Sequence, residues 1–313
     1  MTTRVVALTG STGFIGSAAL RALTEQGVRV RALVRSAPPQ GGGGPVEWLT
    51  GDLTDAVSPA RLCEGADVLV HLASRVGGSE EECEAVNSRG TEALMGAAVR
   101  AGVGRIVHLS TAAVYGAGPH RGIAVDGVPA VPVSAASRTR LAGERHAREA
   151  GAVVLRPGLV TGAGDRWVVP ALEELVRRVP VLWDGGTARL SMVDVGDLAR
   201  LIAALATARE AVAPGVHHAS HPEPVRTGDL LAALAGYGVL PALPGPGQPW
   251  AACLRLLDEH RGRISERQFA LVGQDHWYRS EDIWRLAQCP PGPGPLARLA
   301  DAADWYRRRS AQG

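Results

Sequence analysis

Three glycines sit where an apolar run gives way to a helical pattern. After Val5-Val6-Ala7-Leu8 the chain reads Thr9-Gly10-Ser11-Thr12-Gly13-Phe14-Ile15-Gly16, and a helix is expected from Ser17 to Gln26. The chemistry such a loop performs is anion binding. Gly10 allows the tight turn, Gly13 lets the backbone approach a pyrophosphate, and Gly16 lets helix and strand pack closely. The helix N-terminus adds free N–H groups and a positive dipole end. Gly10, Ser11, Thr12, Gly13, Phe14, Ile15 and Gly16 are therefore the expected dinucleotide contacts. The second apolar run ends Leu33-Val34-Arg35-Ser36, without the acid that holds a ribose diol in NAD-binding chains. Arg35 can instead make paired hydrogen bonds to a ribose 2′-phosphate, which predicts NADP(H) over NAD(H).

Further segments follow in a telling order. They are Gly51-Asp52-Leu53, His71-Leu72-Ala73-Ser74, Val86-Asn87-Ser88-Arg89-Gly90-Thr91, Ser110-Thr111-Ala112-Ala113-Val114-Tyr115-Gly116, Arg156-Pro157-Gly158 and Val193-Asp194-Val195. With the glycine loop, they resemble the extended short-chain dehydrogenase/reductase family, the group of nucleotide-sugar epimerases and dehydratases, along nearly the whole chain. The resemblance implies that Asp52 and Leu53 contact the adenine. It places Ala73, Ser74 and Asn87 around the dinucleotide, and Pro157 and Gly158 against the nicotinamide.

The family's proton-transfer pair is Tyr-x-x-x-Lys, followed four residues later by a glutamate. Aligning that glutamate on Glu144 puts Arg140 in the lysine position and Ala136 in the tyrosine position. No shift of alignment restores the pair, because all 33 basic residues are arginine. Removing a general acid typically costs about 10²–10⁴ in rate, so another proton source or no catalysis is implied. Thr111, at the end of the fifth strand, can donate a hydrogen bond to a carbonyl oxygen as charge develops, and Ser110 could share that role. Arg140 can still bond the nicotinamide ribose. Within the family, the missing pair and the arginine-only composition resemble atypical angucyclinone ketoreductases, which reduce a polyketide ketone with NADPH. The implied substrate is a polycyclic aromatic ketone whose own peri-phenol stabilises the alkoxide. A non-catalytic NADP(H)-binding sensor is the second reading. A sugar-nucleotide epimerase or dehydratase is third, since those reactions begin with the absent tyrosine.

The elements that must position these residues follow from the apolar periodicity. Val5 to Leu8, Val28 to Val34, Asp67 to Leu72, Arg105 to Leu109 and Ala152 to Leu155 read as buried strands, with helices near 80–101 and 135–149. The expected fold is α/β: a Rossmann-like, doubly wound parallel sheet with a smaller C-terminal substrate-binding lobe. The sheet domain is expected over 1–160 with a return at about 191–213. The lobe is expected from 161–190 and 214–290, and a C-terminal helix over 291–313. Gly41–Gly44 and the segments 244–249 and 290–295 read as loops.

The remaining residues exclude more than they suggest. A net charge of +2 gives no case for nucleic acid. Four scattered cysteines and the loop-like His217-His218-x-x-His221 argue against a metal. Prolines at 241, 244, 246 and 249 break the longest uncharged stretch, which argues against a membrane helix. Met1 leads almost directly into a strand, which leaves no room for a signal peptide and predicts a cytoplasmic protein. Trp167, Trp183, Trp250, Trp277 and Tyr278 are candidates to line a pocket for a planar ligand. Tyr115 is expected to bury its ring, and His108 to be a satisfied interior histidine. The polar 135–149 helix, with Arg138, Arg145, His146, Arg148 and Glu149, favours a monomer over a homodimer.

Overall fold

The computed structural model describes residues 4–36, 45–243 and 245–311. The glycine run 41–44 and Pro244 lie outside the described residues. In chain order the first strands and helices are β1 (Val5–Thr9), α1 (Phe14–Glu25), β2 (Arg29–Val34), β3 (Val46–Thr50), α2 (Ser58–Cys63), β4 (Val68–His71) and α3 (Glu80–Glu84). Next come α4 (Gly90–Arg100), β5 (Arg105–Leu109), β6 (His120–Ile123), α5 (Ala135–Glu149), β7 (Val153–Arg156), β8 (Leu159–Thr161) and α6 (Val168–Arg178). The chain continues through β9 (Arg189–Leu190), β10 (Met192–Asp194), α7 (Val195–Thr207), β11 (Gly215–His218), β12 (Val225–Arg226) and α8 (Thr227–Gly236). It ends with α9 (Trp250–Glu259), α10 (Glu266–Gly273), β13 (His276–Tyr278), α11 (Glu281–Leu286) and α12 (Pro295–Ser310).

Seven strands form one parallel sheet in the order β11-β7-β5-β4-β1-β2-β3. Its central strands read as unbroken apolar runs because both faces are covered. Along β1, Val6 and Leu8 pack on the face covered by α1 and α7, while Ala7 packs on the opposite face with Leu69 and Leu94. The switch of strand order lies between β1 and β4, so the glycine loop and the β4 turn open into one crevice at the strands' C-terminal ends.

The sheet is wider than the apolar runs indicate. Val46–Thr50 adds one edge, and Gly215–His218 pairs in parallel with Val153–Arg156 at the other. The lobe boundary expected at 214 therefore falls after 218. Part of the last lobe segment also belongs to the sheet domain, because Ile283 and Trp284 of α11 pack into its core. The long helix near 80–101 is α3 and α4 joined through a π-helical turn at Ala85–Arg89.

The lobe has its own core beside the sheet. A four-stranded sheet, β12-β9-β13-β6, and the β8–β10 pair support α6, α8, α9, α10 and α12. Trp183 and Trp250 pack on Phe269 with ring centroids 4.8 and 4.6 Å away, so these two tryptophans build the lobe's interior. The C-terminal helix α12 adds Leu299, Ala302 and Tyr306 to that core. Among the described residues no helix is long and apolar enough to cross a membrane.

Candidate active site and dinucleotide cleft

The glycine loop has the geometry its spacing implies. Gly10 has φ +76°, and a Cβ there would stand 2.7 Å from the Ala73 nitrogen. A Cβ on Gly16 would collide with the Gly10 carbonyl, so the first turn of α1 closes directly onto the loop. Gly13 caps α1 without a side chain, leaving the helix's first N–H groups for an anion.

Beneath the loop lies a locked polar chain. The Thr9 hydroxyl accepts from the Leu72 and Ala73 N–H groups, each at 3.2 Å, so its proton goes to His71 Nδ1 at 2.7 Å. That fixes the neutral tautomer whose Nε2–H donates to Thr91 Oγ1 at 2.9 Å. Burial pushes the His71 pKa down to about 3, with the Arg140 charge adding to the effect. One threonine and one histidine thus tie β1, β4 and α4 together under the cradle.

A cleft of about 240 Å³ opens above this chain. Gly10, Thr12, Gly13, Arg35, Asp52, Leu53, Ala73 and Ser74, eight of the expected contacts, all line it. Arg35 is exposed at the end of β2. Ser11 is buried with its hydroxyl unpartnered, while Phe14 and Ile15 pack onto the sheet core. Asn87 has a different task from the one expected. Its carbonyl oxygen accepts from the Arg75 N–H at 2.7 Å, and its amide donates to the Arg75 carbonyl at 2.8 Å and to Thr139 at 2.9 Å. A side chain so fully committed to Arg75 and Thr139 supports the cleft wall rather than facing a ligand. Arg75 itself lines the cleft, its guanidinium held by Glu82 at 2.9 Å. Nothing in the sequence pattern singled it out.

At the other end of the crevice, β5 delivers Thr111. Its oxygen accepts from the Ala113 N–H at 3.1 Å, so the hydroxyl proton remains free to donate. The Ala112 N–H donates to the Pro157 carbonyl at 2.9 Å, which brings the Pro157-Gly158 turn alongside. The Gly158 N–H donates to Ser220 Oγ at 2.9 Å.

Ser110 departs from expectation. It is fully buried, and its hydroxyl donates to Glu144 at 2.8 Å, so it cannot share a substrate with Thr111. Glu144 in turn receives two hydrogen bonds from the Arg156 guanidinium, at 2.5 and 2.9 Å. Arg156 also donates to the Tyr115 hydroxyl at 2.8 Å. Burial opposes the Arg156 charge, but Glu144 and Tyr115 more than offset this and hold its pKa above the ordinary value.

Tyr115 is buried as expected, with its hydroxyl 2.7 Å from His218 Nε2 and 2.8 Å from the Val125 carbonyl. His218 Nδ1 donates to the Arg279 carbonyl at 3.0 Å, and burial lowers its pKa to about 4. Burial also raises the Tyr115 pKa, which removes it further from acid catalysis near neutrality.

Arg140 lies under the end of β5. One terminal nitrogen donates to the Leu109 and Ser110 carbonyls at 3.1 and 2.7 Å, and burial lowers its pKa to about 10. The guanidinium thus anchors the two residues that precede Thr111. His108 is interior as expected but not satisfied: its Nδ1 has no partner, and burial holds its pKa well below the ordinary value. His217 and His218 are consecutive residues of a strand, so their side chains point to opposite faces and cannot share a metal. Among the described residues no group of three metal-ligating side chains occurs.

The family model described as NAD dependent epimerase/dehydratase matches residues 6–218. The chain belongs to that family. It is 31% identical over 323 aligned residues to a 2-alkyl-3-oxoalkanoate reductase of Stenotrophomonas maltophilia, covering 98% of this chain and 92% of that protein. It is also 31% identical to a 4-hydroxy-2-methyl-3-oxo-4-farnesyl-3,4-dihydroquinoline-1-oxide ketoreductase of Stigmatella aurantiaca, over 61% of each chain. A short-chain dehydrogenase/reductase superfamily protein from Agrobacterium tumefaciens, solved with bound NAD, superposes with a TM-score of 0.74 at 24% identity, over 99% of both chains. That likeness establishes the Rossmann-type fold of this family member.

Proposed function

We propose that this protein is an NAD(P)-dependent oxidoreductase, and more narrowly an NADPH-dependent ketoreductase acting on a polycyclic aromatic ketone. The observation that carries the reading is Thr111, whose free hydroxyl proton stands at the strand end where a carbonyl oxygen would lie, with Ala136 in place of a tyrosine. Two reductases among the relatives, one acting on 3-oxoalkanoates and one on a ring ketone, support carbonyl reduction as the reaction.

The glycine loop, where a Cβ at Gly10 would strike the turn after β4 and one at Gly16 the Gly10 carbonyl, fits the pyrophosphate of a dinucleotide against the free N–H groups of α1. Arg35 fits a ribose 2′-phosphate. When bound, NADPH supplies the hydride for the carbonyl carbon. Thr111 donates a hydrogen bond to the oxygen as it becomes an alkoxide. Arg140, Glu144 and Ser110 hold the strand end that carries Thr111. Ala136 stands where the family's tyrosine would supply a proton, so the alkoxide takes its proton from the substrate's own peri-phenol, which water then reprotonates. The sum is ketone, NADPH and one proton giving secondary alcohol and NADP+.

The test is a substrate pair. A tetracyclic ketone with a peri-hydroxyl should be reduced with consumption of NADPH, and its methyl ether far more slowly. Equal rates for the two would remove substrate assistance, and no turnover of either would remove the ketoreductase reading.

A further inference from the structure

None of the five aromatic residues expected to receive a planar ligand lines the cavity beside Thr111. Trp167 is 64% exposed, Trp183 and Tyr278 are buried at 1% and 5%, and Trp277 packs under the Arg189 guanidinium. The cavity measures about 450 Å³, within the range of about 300–1,000 Å³ common for ligand pockets. Its wall begins at Ala113, the residue whose N–H donates to Thr111 Oγ at 3.1 Å.

One wall is nearly bare of side chains. Thr111 caps a short 3₁₀ turn, Ala112–Tyr115, and the chain leaves it through Gly116-Ala117-Gly118. Gly116 has φ +79°, and a Cβ there would collide with the Val131 carbonyl. Ala113, Gly116, Ala117 and Gly118 thus present little but backbone to the cavity, with Val133, 43% exposed, beside them.

The facing wall is α10, whose residues divide by helical periodicity. Phe269, Val272 and Gly273 are buried in the lobe, whereas Glu266, Arg267, Ala270, Leu271 and Gln274 line the cavity. Ala270 and Leu271 are partly buried, yet among the described residues they join none of the four hydrophobic cores. His276, 7% exposed, also lines the cavity. Its Nδ1–H donates to the Gln274 carbonyl at 3.1 Å, which leaves Nε2 an acceptor with no partner. A Cβ at Gly118 would stand 2.5 Å from that nitrogen, so only a glycine fits beside it. Apolar side chains outside any core, facing a wall of bare backbone, make a flat slot suited to a ring system.

We propose that this slot binds the distal rings of a planar, multi-ring ketone whose carbonyl stands at Thr111, and that Ala270 and Val133 are specificity-determining residues that set how large a ring system it accepts. The proposal rests on the ketoreductase reading for the placement of the carbonyl, but not for its test. A flat ring face covers Val133, Ala270 and Leu271 together and removes their apolar surface from water. A single-ring ketone held at Thr111 covers less of that surface.

The experiment measures binding first and turnover second. The tetracyclic hydroxyketone, and a single-ring aryl ketone for comparison, are titrated calorimetrically into the NADP+ complexes of wild type, Ala270→Leu, Ala270→Trp and Val133→Trp. Both positions lie outside the cores, so the variants keep the fold, which the urea midpoint of each checks. The two tryptophans fill the slot from opposite walls, and each is expected to weaken the tetracycle about tenfold or more, with Ala270→Leu falling between them and wild type. The single-ring ketone and NADP+ itself should stay within about twofold.

Unchanged affinity for the tetracycle in the tryptophan variants, an equal loss for both ketones, or no binding of the tetracycle to wild type overturns the proposal. Binding that depends on the slot, without any turnover, would uphold it while removing the ketoreductase reading. Turnover of the tetracycle that ignores both tryptophans would do the reverse, so the two fail separately.

Discussion

The buried pair Glu144–Arg156 offers the sharpest test of the site's construction. Glu144 is fully buried and Arg156 only 5% exposed, so neither charge has water to fall back on. Replacing Glu144 with Gln keeps the shape and one acceptor for Ser110, but removes the negative charge between the two guanidinium bonds. Breaking one partner of a buried ion pair costs about 3–5 kcal/mol, because the remaining charge stays buried and uncompensated. With an acceptor retained, the lower end applies, so Glu144→Gln should destabilise by about 3 kcal/mol.

The cost should fall largely on Arg156. A double variant, Glu144→Gln with Arg156→Met, removes both charges and should be more stable than the single one, recovering at least about 1 kcal/mol. Urea unfolding followed by tryptophan fluorescence measures all three proteins, with equal slopes required before midpoints are compared. A loss below about 1 kcal/mol in the single variant would show that the pair is not the brace described here. A double variant less stable than the single would show the same.

Other outcomes follow from the same geometry. Arg35→Ala should weaken NADPH by about 1.5–3 kcal/mol, or roughly 10- to 150-fold, while NADH binding stays as it was; equal losses for both would remove the 2′-phosphate assignment. Arg75 faces the same cleft from the opposite wall, so Arg75→Ala is expected to weaken NADPH and NADH alike in a fluorescence titration. Thr111→Val should lower kcat by at most about 10²–10³ with little change in cofactor affinity, and a full-rate variant would relocate the oxyanion donor. His71 and His218 have pKa values lowered to about 3 and 4, so the unfolded chain binds more protons than the folded one below pH 6.5. Stability is then complete above about pH 6.5 and falls as pH drops toward 4, by up to about 1.4 kcal/mol per unit for each histidine. Urea midpoints between pH 7.5 and 4.5 check this, and a flat profile would contradict the buried neutral tautomers.

The sheet's centre was legible because β1, β2, β4, β5 and β7 carry apolar residues on both faces. Its edges were not. Val46-Glu47-Trp48-Leu49-Thr50 is only half buried, and Gly215-Val216-His217-His218 has the composition of a loop; tertiary pairing makes both into strands. In the site, the glycines declare themselves through backbone geometry, which few residue types can satisfy. Ser110 and Asn87 do not, since a hydroxyl or amide reads the same whether it faces a ligand or a buried neighbour. What commits Ser110 is Glu144, thirty-four residues away on a helix, and what commits Asn87 is the backbone of Arg75. Arg140 was identifiable as the residue replacing a lysine, but not as a support for two carbonyls.

The position of β11 has a consequence for how the chain is made. β7 ends at residue 156, and the strand that covers its outer edge begins at 215. At about 5–20 residues per second, the ribosome needs roughly 3–12 s to supply it. Through that interval the nascent sheet exposes a Val153-Val154-Leu155 edge, with the backbone groups of an unpaired strand available to a neighbouring chain on the polysome. The excursion through α6 and α7 is thus also a delay. It leaves the outer edge of β7 unpaired until β11 has been made.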